Sequence, residues 1–427
     1  MEYSKRTQWG WAMYDWANSS YSLVIGTAIY PIYYAAVMEG AGKEGIAFLG
    51  GHISTTAAYT FAVAASFLTV SLMTPYLSAL AELGGNKKQF MRSFIYTGSA
   101  ACMGMYFFTE ETLWWGLLAP YLASLCFSGS LVFYNSYLPE IAPPDRQDAL
   151  SARGFALGYL GSSLVLIAAL ACIQNPDWFN QEGVGWITRM SFVTVGLWWL
   201  GWGEFSLYRL PSGHQIEGGV KEKGWIRAAY QRVFDVVAEF RAMPGVERFL
   251  VGFFFASAGV QTIILIASLF GTQVLGLETS ALITTILLIQ FVGIAGSYIF
   301  SRLSDVWGNI RALIVAGLLW VCICALAYVV NSETQFYLLG AAVGLVLGGI
   351  QSLARSTFSK LLPSEGEHVT YFSFFDIAEK LATVLGMVAV GWMETVTGDL
   401  RFSALLLSGF FLLAVASWFG VRTAQKL

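Results

Sequence analysis

Long apolar runs recur along the whole of this chain, and they leave it few folds to choose from. Twelve can be counted, six before residue 209 and six after residue 248, each near the roughly 20 residues an α-helix needs to cross a bilayer. Charged residues are 12% of the chain and hydrophobic ones 56%, whereas a soluble domain carries about 25% charge. A water-soluble fold of this composition would expose too much apolar surface to stay dispersed. A transmembrane β-barrel is also excluded, because its strands alternate over about 10 residues instead of running apolar throughout. The chain reads as an all-α polytopic membrane protein with 12 transmembrane helices.

The expected spans are Trp11–Met38, Ser54–Leu80, Phe90–Thr109, Leu113–Leu138, Leu150–Ile173 and Ile187–Tyr208 in the first half. In the second they are Phe249–Leu275, Ser280–Phe300, Ala312–Val330, Gln335–Leu362, Tyr371–Met393 and Phe402–Gly420. Pro31 falls inside the first span, and Pro139 is expected to stop the fourth. The halves are 1–208 and 249–427, with a connector, 209–248, between them. The connector carries Arg209, Lys221, Lys223, Arg227, Arg232, Arg241 and Arg248 and several acids, so no bilayer would accept it. Within it, Ile226, Val233, Val237 and Phe240 recur at helical spacing. An amphipathic helix lying on the inner membrane surface is expected there.

Basic residues collect on the connector's side. Lys5, Arg6, Lys87, Lys88, Arg92, Arg146, Arg153, Arg302, Arg311, Arg422 and Lys426 lie there, against Lys43, Arg189 and Arg401 on the other. Positive residues stay inside, so both termini and the connector are expected in the cytoplasm and the protein in the plasma (inner) membrane. The short polar stretch Met1–Gln8 precedes an apolar run too long for a signal peptide, so none is expected. Cys102, Cys126, Cys172, Cys322 and Cys324 sit in apolar segments and read as small buried thiols. His52, His214 and His368 are scattered, and no metal, redox or nucleotide-binding motif is present. The reading is of a protein that is not an enzyme, needs no cofactor, binds no nucleic acid and works as a monomer.

The halves echo each other. Ser78-x-Leu80-x-Glu82-x-x-Gly85-Asn86 is matched by Ser301-x-Leu303-x-Asp305-x-x-Gly308-Asn309, and Leu138-Pro139 by Leu362-Pro363 at nearly the same offset. A six-helix unit used twice is a common plan for secondary transporters. The two turns resemble the signature loop of the major facilitator superfamily, with Glu82 and Asp305 at the acidic position but Leu83 and Val306 where that pattern has arginine. The resemblance implies two pseudo-symmetric six-helix bundles, and an inner gate in which each acid pairs with a neighbouring helix end. The segments WAMYDWANSSYSLVIGTAIYPIYY, YNSYLPEIAPPDRQDALSARGFALGYLG and GGIQSLARSTFSKLLP together resemble the vacuole-effluxer-like permeases, which include the autophagy-related vacuolar amino-acid exporters. That resemblance implies export of an amino acid or related carboxylate by alternating access.

Polar groups inside a bilayer are costly, so each is a functional candidate. Asp15, Asn18 and Ser22 share one helix face. Asp15, about one turn inside its expected span, reads equally as a gate or proton-carrying acid and as an acceptor at a helix N-terminus. Gln351 and Arg355 share a face four residues apart. Arg355 suits a substrate carboxylate, or else pairs with Asp376, Glu379 or Glu204, or reaches back to the surface. Asp376 and Lys380 are spaced for an ion pair, with Glu379 left over. In facilitator folds helices 1, 4, 7 and 10 line the cavity. The candidate substrate-binding set is therefore Asn18, Ser22, Asn135, Gln261, Gln351 and Arg355, with helix-to-helix bonding as the alternative for each amide. The candidate gate and coupling set is Asp15, Glu82, Asp305, Asp376, Glu379 and Lys380, with protons as the coupling ion. Gly154 and Gly158, and Gly340, Gly344 and Gly348, recur at four-residue spacing and suit close helix contact. The alternative to a solute permease is a flippase for lipids or amphiphiles, or a sugar or peptide permease on the same fold.

Overall fold

The computed structural model describes residues 4–43, 45–48, 51–179, 184–212, 225–363 and 368–421. Glu44, His214, Lys221, Lys223, Arg422 and Lys426 lie outside these. The helices are α1 (Lys5–Ser20), α2 (Tyr30–Gly40), α3 (Thr55–Gly84), α4 (Lys87–Gly104), α5 (Trp115–Ser136), α6 (Leu138–Ile141), α7 (Pro144–Gln174) and α8 (Val184–Arg209). They continue with α9 (Trp225–Ala242), α10 (Pro244–Leu269), α11 (Thr279–Trp307), α12 (Asn309–Val329), α13 (Glu333–Leu361), α14 (Val369–Thr397) and α15 (Leu400–Phe419). Among the described residues eight helices have the length and apolar character to cross a membrane, or nine with the bent first pair. The long helices α4, α8 and α14 are not among these; each carries charged residues, Arg92, Glu204 and Lys380 among them.

The expected first span is broken. A π-helical stretch, Tyr21–Ala28, follows α1, and α2 leaves it at 41°. Pro31 sits in the first turn of α2, where its missing N–H costs no hydrogen bond, so the proline restarts the helix. Pro139 likewise opens the short α6 instead of stopping a span. Between α2 and α3 a two-stranded antiparallel hairpin, β1 (Gly45–Phe48) and β2 (Gly51–Ser54), replaces the expected loop. Ser54 then caps α3, accepting from the Ala57 N–H at 3.2 Å. Gly85 ends α3 at φ +64°, a left-handed conformation that favours glycine.

Each half packs chiefly on itself, with α1 on α7 and α8, α4 on α5 and α8, α11 on α13, and α10 and α12 on α15. The halves meet along α3, α5 and α14, and along α7, α11 and α13. The glycines of α13 work as expected. A Cβ at Gly344 would strike the backbone oxygen of Ile289, and one at Gly348 that of Gly293, so α11 and α13 touch backbone to backbone. The thiols differ in part from expectation. Cys102, Cys126 and Cys324 are buried, Cys172 is half-buried, and Cys322 is exposed on the outward face of α12.

The connector contains the expected helix. Its buried face is turned by about one residue from the sequence reading: Ala229, Val236 and Phe240 are buried, and Val233 and Val237 only partly. α9 lies across α3, α10 and α14, with Phe240 edge-on to Tyr371 and Phe374 at 5.6 and 5.5 Å. Replacing Gly344 with leucine should wedge α11 from α13 and cost about 1–3 kcal/mol. The readout is a lower unfolding midpoint of the purified protein in detergent; an unchanged midpoint would contradict the backbone contact.

Candidate functional site: a cavity closed by a buried ion pair

A cavity of about 540 Å³ lies between the halves. Its floor includes Asp15, Asn18, Asn135, Gln351 and Arg355, and its walls rise past Phe67, Phe127, Phe253 and Gln261 to Thr27, Tyr59 and Ser268. Five of the six proposed substrate-binding residues come from α1, α5, α10 and α13, as the four-helix lining pattern requires. The sixth, Ser22, borders the cavity from the π-helical stretch, a departure from α-helical geometry that is frequent at functional sites.

Arg355 closes the floor. Its guanidinium has five N–H donors, and the surroundings supply five bonds. Nε donates to Ser151 Oγ at 2.9 Å, Nη1 to Asp15 Oδ2 at 3.0 Å and Asn135 Oδ1 at 3.4 Å, and Nη2 to Asp15 Oδ2 at 3.0 Å and the Ser151 carbonyl at 2.9 Å. The Tyr134 hydroxyl donates to the same Asp15 oxygen at 2.8 Å. The rings of Phe155 and Trp11 lie 4.3 and 4.7 Å from the guanidinium carbon, close enough for cation–π attraction. Gly154 makes room, since a Cβ there would collide with the Asp15 carboxylate.

This corrects three sequence expectations. The partner of Arg355 is Asp15, not Asp376, Glu379 or Glu204. Glu204 accepts from Arg92 at 2.9 Å, and Glu379 accepts from Gln261 at 2.7 Å. Asp15 is not near a helix end: α1 starts at Lys5, so the acid lies about 15 Å along the helix. Arg355 does not reach back to the surface, being buried with Asp15. Nothing in the sequence spacing joins positions 15 and 355, because the bond crosses between the halves.

Toward the connector end the halves are held at two further places. Glu82 is buried and accepts from the Thr370 backbone N–H at 2.8 Å, at the start of α14, and from Arg232 Nε at 3.0 Å. Arg232 also bonds Glu239 at 3.0 Å, and Glu239 accepts from the Tyr371 hydroxyl. Burial works against the Arg232 charge, but Glu82 beside it outweighs this and holds the guanidinium above its ordinary pKa. The arginine absent from position 83 is thus supplied from α9.

The second place departs from expectation. Asp305 is exposed and has no ion pair among the described residues. The carboxylate comes instead from Asp148 of α7, which accepts from Ser304 at 2.9 Å, Asn309 at 2.8 Å and Lys360 at 2.6 Å. Asp148 lies in the PEIAPPDRQD run, and only its polarity could have singled it out. Nearer the cavity Tyr159 donates to Gln351 at 2.9 Å and Gln290 to Ser162 at 3.3 Å. Among the described residues no hydrogen bond joins the halves at the end away from the connector. A third charged group borders the cavity on α14: Lys380 lies 3.5 Å from Asp376 and 3.4 Å from Glu379.

A broken-helix pair of bundles, a central cavity and a polar lock between repeats define a transporter of the major facilitator superfamily. The crystal structure of the human organic anion transporter MFSD10 (TETRAN) has this fold, with a TM-score of 0.71 at 11% identity over 97% of this chain and 99% of that one. The chain belongs to the vacuole effluxer Atg22-like family, whose model matches residues 3–426. It is 30% identical to the MFS-type transporter YxiO of Bacillus subtilis over 91% of this chain and 88% of that protein. It is 24% identical to Autophagy-related protein 22-1 of Penicillium rubens, over 87% and 76% of the two chains.

Arg355→Gln should leave Asp15 buried without its counter-charge, at a cost of about 3–5 kcal/mol. Asp15→Asn together with Arg355→Gln leaves no lone charge and should recover most of the loss. Unfolding midpoints of the three proteins test this, and equal midpoints for the single and double variants would refute the pairing.

Proposed function

We propose that this chain is a secondary transporter that carries a neutral amino acid or related carboxylate by alternating access. The observation that carries the reading is the cavity itself: it is closed on one side by bonds between the halves and, among the described residues, has no such bonds on the other. Its volume of about 540 Å³ is within the usual range for small-molecule sites. Its walls are largely aromatic and aliphatic, with a few charged groups at the floor and on α14. That mixture suits a molecule with a charged head and an apolar side chain.

We place the connector, both termini and the locked end in the cytoplasm, in the plasma (inner) membrane, on the strength of the basic residues gathered there. The conformation is then outward-facing. To open inward, the protein must part Asp15 from Arg355, Glu82 from Thr370 and Asp148 from its three donors. Asp15 acts as a gate acid, since Arg355 holds it. Protons are the coupling ion we propose, with Asp376 and Glu379 as the acids that carry them.

The test is counterflow into proteoliposomes loaded with unlabelled L-alanine, L-leucine and L-phenylalanine, following entry of each in labelled form. Entry of at least one is expected, stimulated by a proton gradient and abolished or greatly slowed in Asp376→Asn/Glu379→Gln. Well-folded protein that carries none of the three would overturn the substrate class, and indifference to the gradient would overturn proton coupling. Transfer of labelled phospholipid between leaflets in the same vesicles would turn the reading to a flippase.

A further inference from the structure

The charged side chains bordering the cavity, among the described residues, are Asp15, Arg355, Glu379 and Lys380. Of the two cations, Arg355 suits a carboxylate better by chemistry, since its planar fork can bind one with two parallel bonds. In this conformation it has nothing left to offer. All five of its donors are engaged, two of them with Asp15. A substrate carboxylate reaching it would have to displace a buried acid that has no other cation beside it.

Lys380 is in the opposite condition. Its ammonium is 3.5 Å from Asp376 Oδ1 and 3.4 Å from Glu379 Oε1, well beyond the roughly 2.7–2.9 Å of a strong charge-assisted bond. It lies 5.2 Å from the centre of the Phe67 ring, itself part of the cavity wall. Its three donors rotate on a flexible stem, so they can turn toward the cavity at little cost. Glu379 is steadied by Gln261, which donates to Oε1 at 2.7 Å. Among the described residues both bonds to the Glu379 carboxylate use Oε1, and Oε2 is left over.

We infer that Lys380 receives the carboxylate of the substrate while the connector end is closed, and that Glu379 beside it, once it has given up its proton, receives the ammonium. This rests on the amino-acid reading proposed above and assigns its two charged contacts. A loosely joined lysine–glutamate couple presents a positive and a negative group side by side. The α-carbon of an amino acid presents the same two signs in a complementary order. Two tight contacts then replace one loose one, in surroundings where water competes little. The cluster also explains itself this way. Asp376 and Lys380 alone would neutralise each other, yet Glu379 adds a second acid inside the span, an expensive feature that binding an ammonium, like carrying a proton, would use. A neutral zwitterion adds no net charge on binding, and its ammonium meets the surplus acid.

The experiment compares L-alanine, L-leucine and L-phenylalanine with their α-amides as competitors of counterflow. The amides keep the side chain and the amine but lose the anionic oxygen. Wild-type protein should favour each acid over its amide by roughly tenfold or more, the worth of one charge-assisted contact. Lys380→Gln combined with Asp376→Asn leaves no unpaired charge between those two positions and should stay folded. It should lose most of the preference for acid over amide. Lys380→Arg should keep it, and Asp376→Asn alone, whatever it does to the rate of entry or to proton stimulation, should leave the ratio of acid to amide unchanged. A merely structural lysine would change the amount of folded protein but not the ratio of acid to amide. An unchanged ratio in the double variant, or a wild type that accepts acid and amide equally, overturns the assignment to Lys380 while leaving amino-acid transport intact. A wild type that carries none of the three acids overturns the substrate reading, and this assignment with it.

Discussion

The contact between Asp15 and Arg355 is the one on which the closed end depends. Each charge alone would be prohibitive inside a span. Together they are tolerable only because Tyr134, Ser151 and Asn135 satisfy the remaining donors and lone pairs and aromatic rings cover the cation. The desolvation cost of a buried pair nearly cancels its attraction, so such a pair contributes little net stability while penalising any partial separation. That suits a gate. On the alternating-access reading proposed above, the closed state need not be deep in energy, but the intermediate with one charge stranded would be high, and the halves would part or close as a unit.

The two flanking locks repeat one geometry with the charge on opposite sides. Glu82 on α3 faces Thr370 at the start of α14, while Asp148 near the start of α7 faces Ser304 and Asn309 at the junction of α11 and α12. In the internal repeat Glu82 corresponds to Asp305, and Thr370 to the region of Asp148. One half carries the acid on the turn and accepts from the helix start; the other carries it on the helix and accepts from the turn. The degenerate second copy of the loop motif becomes intelligible on these terms. Asp305 is free to face solvent because Asp148 already supplies the carboxylate, with Lys360 as its cation.

The architecture was largely legible in the sequence because it rests on local signals. Apolar length marks the spans, four-residue glycine spacing marks the α11–α13 contact, and the doubled loop motif marks the repeat. Within a helix the reading also held, since Asp376 and Lys380 pair at the distance their spacing allows. It failed where the answer depends on two distant segments meeting. No spacing rule links Asp15 to Arg355, Asp148 to Lys360, or Glu82 to Arg232. The prolines misled for a related reason: a proline is equally at home at the first turn of a new helix, and which use applies depends on what packs there.

The connector is more than a tether between bundles. Arg232 bonds Glu82 of the first half, while its neighbour Glu239 takes the hydroxyl of Tyr371 in the second. Phe240 packs into the start of α14 beside them. α9 therefore touches the same Glu82–Thr370 junction that must separate for the cavity to open at the connector end. A helix so placed adds its own contacts to the closed state and to no other, unless it moves with one half. Its bonds to Glu82 and to Tyr371 stretch between elements of both halves, so it cannot follow either one without breaking a contact to the other. The energy of closure is in this way shared between a buried pair at the floor of the cavity and a partly buried helix at the connector end. The buried pair is sheltered from salt, and the more exposed Arg232–Glu239 pair is less so.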